Sequence, residues 1–512
     1  MMKIKKGKIA LFSFVVVVIF SCIFNIVNFD FGWHLKTGEY ITQNFSIPRH
    51  DIFSYIAEGN KWIDSHWLFQ VILYSAYAIG GAYGCIVLRC CIVLGTFLLL
   101  YFIYYKDDFY AVSIIVGLIA LFCGFQRFLL RPEIFTFLFI VIFFYFIENF
   151  SKYKYAVFFI LPFIQLLWSN MHGLYILGII FMMLYYCGEC INILIYRYLG
   201  KLEERECSMR IWTRKLICLL LVSGASLINA NGKDGILYPF TIFQEIFSKA
   251  TSPIATVGEL ISPFSFPQTK FPDPVVMFKI LIVLSLVAFL MNIKKIRFCY
   301  LLPFCAFLFL AVLSFRNIAI FALIATPMTV YNIAGFIDSL KGKTSTRLVK
   351  LRHATSMALF ISIVIINVVI IFLISNNYIY KRLGYHRKFG FGISEYFPQE
   401  AVDYIKANAD QIGGNLFNSA DIGGYLIWQL YPEWKVSLDG RWEVYGNFIH
   451  DIRKLADRSY FMQLVHRYNI MLLVLGKTSQ EYLLLRWWLG RDPGWRFIKQ
   501  TQNTIIFKRR YF

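Results

Sequence analysis

IALFSFVVVVIFSCIFNIVNF (9–29) holds no charged residue. It reaches the roughly 20 residues that a helix needs to cross the hydrocarbon core of a bilayer. ATSMALFISIVIINVVIIFLIS (354–375) repeats the pattern far downstream. Between and around these runs the chain stays apolar, with 58% hydrophobic and 16% charged residues in 512. A soluble chain of this length carries more charge, so the class is a polytopic helical membrane protein. The first run exceeds a signal-peptide core and no small-residue cleavage site follows it, so it reads as a retained helix.

Hydropathy predicts about eleven spans, near 9–28, 82–105, 109–126, 134–149, 155–169, 173–196, 214–230, 275–293, 297–313, 316–335 and 354–376. The net charge of +21 then resolves into loop clusters and does not call for a nucleic-acid partner. Lys3, Lys5, Lys6 and Lys8, then Lys106, Lys152 and Lys154, the 197–215 loop, Lys294 and Lys295, and the 341–352 run fall on alternate connections. The bias of Lys and Arg to the cytoplasmic side puts that face inside. The N-terminus is then cytoplasmic, and the odd number of spans puts the tail outside. The expected organisation is a transmembrane domain over 1–376, with outer loops at 29–81 and 229–274, and an extracytoplasmic domain over 377–512. All eleven cysteines lie at or before Cys305, mostly within apolar runs, which argues against a disulfide framework. The lone CxxC at Cys187 and Cys190 lies inside a helical run and has no partner motif.

The presumptive outer connections carry ionisable groups close to membrane depth, where such groups are costly and point to function. NFDFGWHLKTGEY (28–40) opens the first of them. GWHLKTGEYITQN (32–44) reads as a short amphipathic helix, on which Asp30 and His34 share a face. Asp30 fits two roles, an N-cap for that helix or a carboxylate base at the membrane surface. His34 alone is also a common hydrogen-bonded structural residue. Asp64 and His66 could complete a metal site with Asp30. IFSYIAEGNKWID (52–64) reads as a small hairpin about Gly59-Asn60, and SHWLFQVILYSAYAIGG (65–81) as a helix in the interface. Further along, Arg131 precedes Pro132 and Glu133 at a helix start, Trp168, Asn170 and His172 form a tight turn, and Arg316 opens another span. Arg131, His172 and Arg316 are cationic donors suited to a phosphate or pyrophosphate. The rival for them is pairing with Glu133, Asp30 or Glu259.

Past 377, glycine, Asp, Asn and charge rise and the long apolar runs stop. PQEAVDYIKANAD (398–410), GGYLIWQL (423–430) and EYLLLRWWLG (481–490) read as helices. NLFN (415–418), KVSLDG (435–440) and NIMLLVLG (469–476) read as strands, and WRFIKQ with TIIFKRR as a terminal hairpin. Alternating elements imply a small α/β layer domain. NSADIGGY (418–425) is glycine-rich after a strand, as phosphate loops are, but it matches no phosphate-binding fingerprint; turns that serve the fold alone are the other reading.

FDFGWHLKTGEYI (29–41), IPRHDIFSYIAEGNKWIDSHWL (47–68), RPEIFTFLF (131–139), WSNMHGLYILG (168–178), NANGKDGILYPF (229–240), VGELISPF (257–264), FRNIAIFAL (315–323) and LFNSADIGGYLIWQLYPEWKVSLDGRWEVY (416–445) form an ordered series. In this series the chain resembles the bacterial GT-C-type membrane glycosyltransferase superfamily, in a branch with a C-terminal extracytoplasmic domain. The resemblance implies an α-helical polytopic fold and transfer of a sugar from a polyprenyl-phosphate donor to a lipid, glycan or protein acceptor at the outer face of the bacterial cytoplasmic membrane. It implies an acid in the first outer loop as general base, matched by Asp30. The branch often has a second acid where this chain has Asn28, and paired aromatics where it has Gly32-Trp33. The reading is therefore an inverting transferase with Asp30 and His34 at the reaction and Arg131, His172, Arg316, Asn170, Glu259, Asp64 and His66 around the substrates. A divalent cation, Mg or Mn, is the cofactor expectation. The alternatives are a non-enzymatic flippase for lipid-linked glycans, or a structural envelope protein.

Overall fold

The computed structural model describes residues 2–104, 109–153, 155–200, 209–247, 260–266, 270–340, 346–446, 448 and 452–510. In chain order the first helices are α1 (Met2–Cys22), α2 (Asp30–Asn44), α3 (Trp67–Tyr104), α4 (Tyr110–Gly124), α5 (Glu133–Glu148), α6 (Phe150–Tyr153), α7 (Val157–Ser169), α8 (Ile176–Tyr198), α9 (Met209–Ala225) and α10 (Gly232–Phe247). They are followed by α11 (Pro274–Met291), α12 (Phe298–Leu313), α13 (Ile318–Leu340), α14 (Thr346–Ser375), α15 (Tyr378–Leu383), α16 (Gln399–Ala407), α17 (Ala409–Ile412), α18 (Ala420–Leu430), α19 (Arg458–Arg467) and α20 (Gln480–Leu489). The strands are β1 (Asn415–Asn418), β2 (Ile470–Gly476), β3 (Trp495–Gln500) and β4 (Thr504–Arg509).

A helix stands at each of the eleven expected spans. Among the described residues six helical segments, Trp67–Tyr104, Tyr110–Arg127, Gly173–Tyr198, Pro274–Met291, Phe315–Leu340 and Met357–Ser375, are long and apolar enough to cross a membrane by length and composition. Two more, Val157–Ser169 and Phe298–Leu313, are apolar but shorter. The loop expected over 229–274 contains a helix, α10, that hydropathy alone did not separate from its Pro- and aromatic-rich surroundings. Within α3 the backbone leaves helical geometry at Gly80 (φ −141°, ψ 16°) and Gly81 (φ 55°, ψ −141°). Gly81 takes a conformation that a Cβ would disfavour, and it splits the expected interfacial helix from the span that follows it.

Contacts divide the chain into two units. The helical unit comprises Met1–Phe24, Val87–Ala250 and Ile254–Gly390. Its hub is α13, buried along most of its length, which packs on α4, α11 and α12, while α8 packs on α12, α7 on α9 and α1 on α14. Several of its charges are paired, which offsets the cost of a low-dielectric setting. Arg297 bonds Glu148 (2.7 Å) and the Tyr185 hydroxyl (3.1 Å), and Lys215 bonds Glu189 (2.5 Å).

The mixed unit joins Asn25–Ile86 to Phe391–Phe512. The first loop and the C-terminal segment, far apart in sequence, thus share one core. Its sheet runs β1-β2-β4-β3, with β1 and β2 parallel and β4 antiparallel to both β2 and β3. β2 (IMLLVLG) is buried at every residue, as the central strand of a covered sheet must be. KVSLDG (435–440) is not a strand among these. It follows the first loop through one bridge, Ser54 to Val436, so its alternation reflects packing on that loop and not a ladder. The 52–64 segment turns back as expected, and its pairing is short: His50 bridges Lys61, and Asp51 and Trp62 amides donate to Asn60 and Arg49.

Candidate functional site

Asp30 is the first residue of α2, and it does not cap that helix with its own side chain. Asn28 accepts the Asp30 amide through Oδ1 (3.2 Å), so a neutral amide does the local capping work that Asp and Asn both do well. The Asp30 carboxylate is left for other partners. Its Oδ1 accepts the Trp33 indole N–H (3.3 Å), and it abuts the backbone at Gly440, where a Cβ would lie 2.5 Å from Oδ1. Asp30 itself is half-buried, within reach of solvent.

Small residues set this geometry. A Cβ on Gly32 would fall 2.2 Å from the Gly424 carbonyl oxygen, so α2 and α18 meet backbone to backbone. GGY of NSADIGGY therefore lies inside α18, its glycines filled by neighbouring backbone, and is not an open phosphate-binding loop. Before it, Asn418 ties the 435–440 segment to β1. Its Oδ1 accepts the Ser437 amide (2.9 Å) and its Nδ2 donates to the Leu438 carbonyl (2.7 Å).

Behind Asp30 lies a buried polar chain. Asp64 is fully buried, and its Oδ1 accepts the His66 amide (3.0 Å) and the Gln70 side-chain amide (3.1 Å). Gln70 Nε2 also lies 3.5 Å from His34 Nδ1. The His34 ring is 3% exposed and wedged between the Trp33 ring (3.6 Å), Phe69 (5.2 Å) and His66 (5.7 Å). Burial pushes the Asp64 carboxyl up to about 7, with Glu443 adding to the effect and the His66 amide, Arg441 and Gln70 opposing it. Asp64, His66 and His34 are thus gathered around Gln70 and Trp33. His34, however, faces inward and positions neighbours instead of meeting solvent. Among the described residues no group of three or more His, Cys, Asp or Glu is placed to hold a metal ion.

The sequence reading missed the residues that fix the opposite wall. Arg441 is fully buried. It forms ion pairs with Asp51 (2.7 Å) and Asp439 (2.6 Å) and stacks over Trp62 at 4.6 Å. Asp439 also accepts the Tyr445 hydroxyl (2.7 Å). Burial raises the Asp51 pKa and the Arg441 charge opposes it. This clamp brackets Gly440. SLDGRWEVY was noticeable as a motif, yet nothing local shows that its arginine pairs with the first loop.

The remaining candidates belong to the helical unit. Arg131 is half-buried ahead of α5. Glu133, a rival partner for it, pairs with Arg127 (Nε to Oε2 3.0 Å). His172 is 6% exposed, and its Nδ1 lies 2.7 Å from the Thr136 hydroxyl, which accepts the Trp168 indole N–H (2.9 Å). Asn170 spends its amide on backbone, donating to Leu166 and Ile228 carbonyls (both 2.9 Å) and accepting from Ala230 (3.0 Å). It builds the turn instead of presenting an open amide. Arg316 sits on a short 3-10 turn, Phe315–Asn317, with a buried Nε that donates no hydrogen bond. Glu259 lies outside the described residues.

The fold is similar to that of an archaeal oligosaccharyltransferase. Among solved structures the chain is similar to the archaeal oligosaccharyltransferase AglB from Archaeoglobus fulgidus in complex with an inhibitory peptide and a dolichol-phosphate, with TM-score 0.60 and 11% identity over 98% of this chain and 74% of that one. The apo oligosaccharyltransferase of the same organism gives 0.57, again at 11% identity with 98% and 74% coverage. ArnT from Cupriavidus metallidurans in the apo state gives 0.47 at 10% identity, covering 98% and 96%. No protein-family model and no curated protein matches the chain.

Proposed function

We propose that the chain is a membrane glycosyltransferase that moves a sugar from a polyprenyl-phosphate donor to an acceptor hydroxyl or amide at the outer face of the bacterial cytoplasmic membrane, with inversion. The observation that carries this reading is a half-exposed carboxylate at the start of α2, held by Trp33 and Gly440 within a GT-C-type fold. A neighbour of that fold binds dolichol-phosphate, which supports a lipid-phosphate donor here.

In the proposed reaction Asp30 takes the proton of the acceptor as its oxygen or nitrogen attacks the anomeric carbon. The bond from that carbon to the phosphate oxygen breaks, and the lipid phosphate leaves with the electron pair. A neutral hydroxyl is a poor nucleophile without such a base. Arg131 and Arg316 offer guanidinium forks to the departing phosphate, where negative charge develops. Thr136 can donate to His172 Nδ1, and the His172 imidazole is assigned the same task in this scheme. His34, Gln70 and Asp64 hold the floor beneath Trp33. The N-terminus is cytoplasmic and the C-terminal segment extracytoplasmic in this scheme.

The test is Asp30→Asn, near-isosteric and unable to accept the proton. Sugar transfer from a polyprenyl-phosphate donor in reconstituted protein should fall by about 100-fold or more, with insertion and thermal midpoint unchanged. Retained activity in that variant refutes the assignment.

A further inference from the structure

The segment NNYIYKRLGYHRKFGFGIS (376–394) carries Lys381, Arg382, His386, Arg387 and Lys388 and no acid. It follows the last expected span, on the side that the loop charges otherwise leave poor in Lys and Arg. Such a cluster on that face is an exception to the usual bias.

Within the helical unit, this segment places one of its cations in the interior. Arg387 is 4% exposed. Its guanidinium lies among four rings, Tyr385 (4.4 Å), Phe24 (4.6 Å), Phe125 (5.1 Å) and Tyr380 (5.4 Å). The other side of this cluster holds a second buried guanidinium, Arg89, 3.6 Å from the same Phe24 ring. Arg89 is satisfied: its Nε donates to the Cys22 carbonyl (2.9 Å) and its Nη2 to that of Phe24. Arg387 is not, because its buried Nη1 donates to nothing, and the buried Tyr380 hydroxyl beside it is also without a partner. The groups that act most on Arg387 are Tyr385, Tyr380 and Cys22. Asp273, a carboxylate acting on Tyr385, is committed to the Val275 amide at the start of α11 (2.8 Å). Four rings attract a cation, and Tyr385 also hydrogen-bonds the guanidinium, yet Nη1 is left without an acceptor. A buried charge with an unmade hydrogen bond is costly.

The geometry points to a binding site for a phosphate oxyanion at this segment. Arg387 and the Tyr380 hydroxyl form its base, and the exposed Lys381, Arg382 and Lys388 form a cationic rim. A phosphate offers the two or more acceptor oxygens that a guanidinium fork and a hydroxyl match. Its source is the headgroup of an anionic membrane lipid or free phosphate. The site uses none of Arg131, His172 and Arg316, and it holds whether or not Asp30 is a base.

The full-length protein, delipidated in neutral detergent, tests this by its thermal midpoint. Phosphatidylglycerol, diacylglycerol and inorganic phosphate are added separately. Phosphatidylglycerol should raise the midpoint, and diacylglycerol, which has the same tails without phosphate, should not. Arg387→Met should raise the half-saturating lipid concentration by about tenfold or more, and Tyr380→Phe, which keeps the ring, should raise it less. Asp30→Asn should bind as wild type does. An equal shift from inorganic phosphate alone, lost in Arg387→Met, assigns the site to the free ion. Without ligand, Arg387→Met should be at least as stable as wild type, because it removes an unsatisfied charge. A less stable or unfolded Arg387→Met, equal shifts from both lipids, or an unchanged response in the variant overturns the site.

Discussion

Gly440 separates folding from chemistry at one position. A Cβ there meets the Asp30 carboxylate oxygen at 2.5 Å, the tip of a side chain that can rotate away, and no backbone atom of comparable closeness. Gly440→Ala should therefore fold and insert normally yet displace the carboxylate. The expected result is a fall in kcat of about 10-fold or more with KM little changed, since misplacement of a reacting group costs rate; a proportionate change in KM instead points to a substrate-binding role. Asp64 makes a second measurable statement. Its carboxyl moves from the ordinary 3.8 to about 7 through burial, so the folded state binds a proton that the unfolded state has already released. Stability from this group is full below about pH 4 and is lost as pH rises to about 7. Asp64→Asn should thus gain thermal midpoint relative to wild type across that window, read by a pH series of melts, and a flat difference contradicts the burial. Asp30 could be singled out as a candidate in the sequence, as an acid just beyond a charge-free run. Arg441, Asp51 and Asp439 were not, because each looks like a surface charge until its partner, hundreds of residues away, is known.

At the scale of elements, α2 carries the candidate carboxylate, and it is located by contact between backbones. Gly32 and Gly424 let α2 and α18 approach until one carbonyl lies where a side chain would be. Gly424→Ala has no rotatable neighbour to push aside, since its Cβ would lie 2.5 Å from the Phe29 carbonyl oxygen. Overpacking of this kind costs about 1–3 kcal/mol. The variant should lose several degrees of thermal midpoint, a fold-level defect that Gly440→Ala does not share. Helices and buried strands could be read from periodicity, since α18, β2 and the β3–β4 hairpin carry their own patterns. KVSLDG was misread because alternation is also produced by a segment lying across a distant loop, here Phe53 to Tyr55.

At the scale of the whole molecule, apolar density made the helices legible, and Gly80-Gly81 marked where one run becomes two. The proposed topology makes a prediction that contacts do not supply. Alkaline phosphatase fused after residue 510 should be active, as it folds only outside the cytoplasm, and fused at 343 it should be inactive; the reverse pattern inverts the orientation. What hydropathy could not see is that the core of the mixed unit is shared by residues 25–86 and 391–512.

That sharing sets an order of events during synthesis. Ser54 donates to the Ser437 carbonyl, 383 positions later in the chain. At roughly 5–20 residues per second, about 20–80 s separate the emergence of these two groups. Throughout that interval the first loop is exposed with Asp51 unpaired and Phe53 and Trp62 uncovered, while helix after helix enters the bilayer. The loop thus waits for a partner made long after it, and gains its cover only when residues 391–512 emerge.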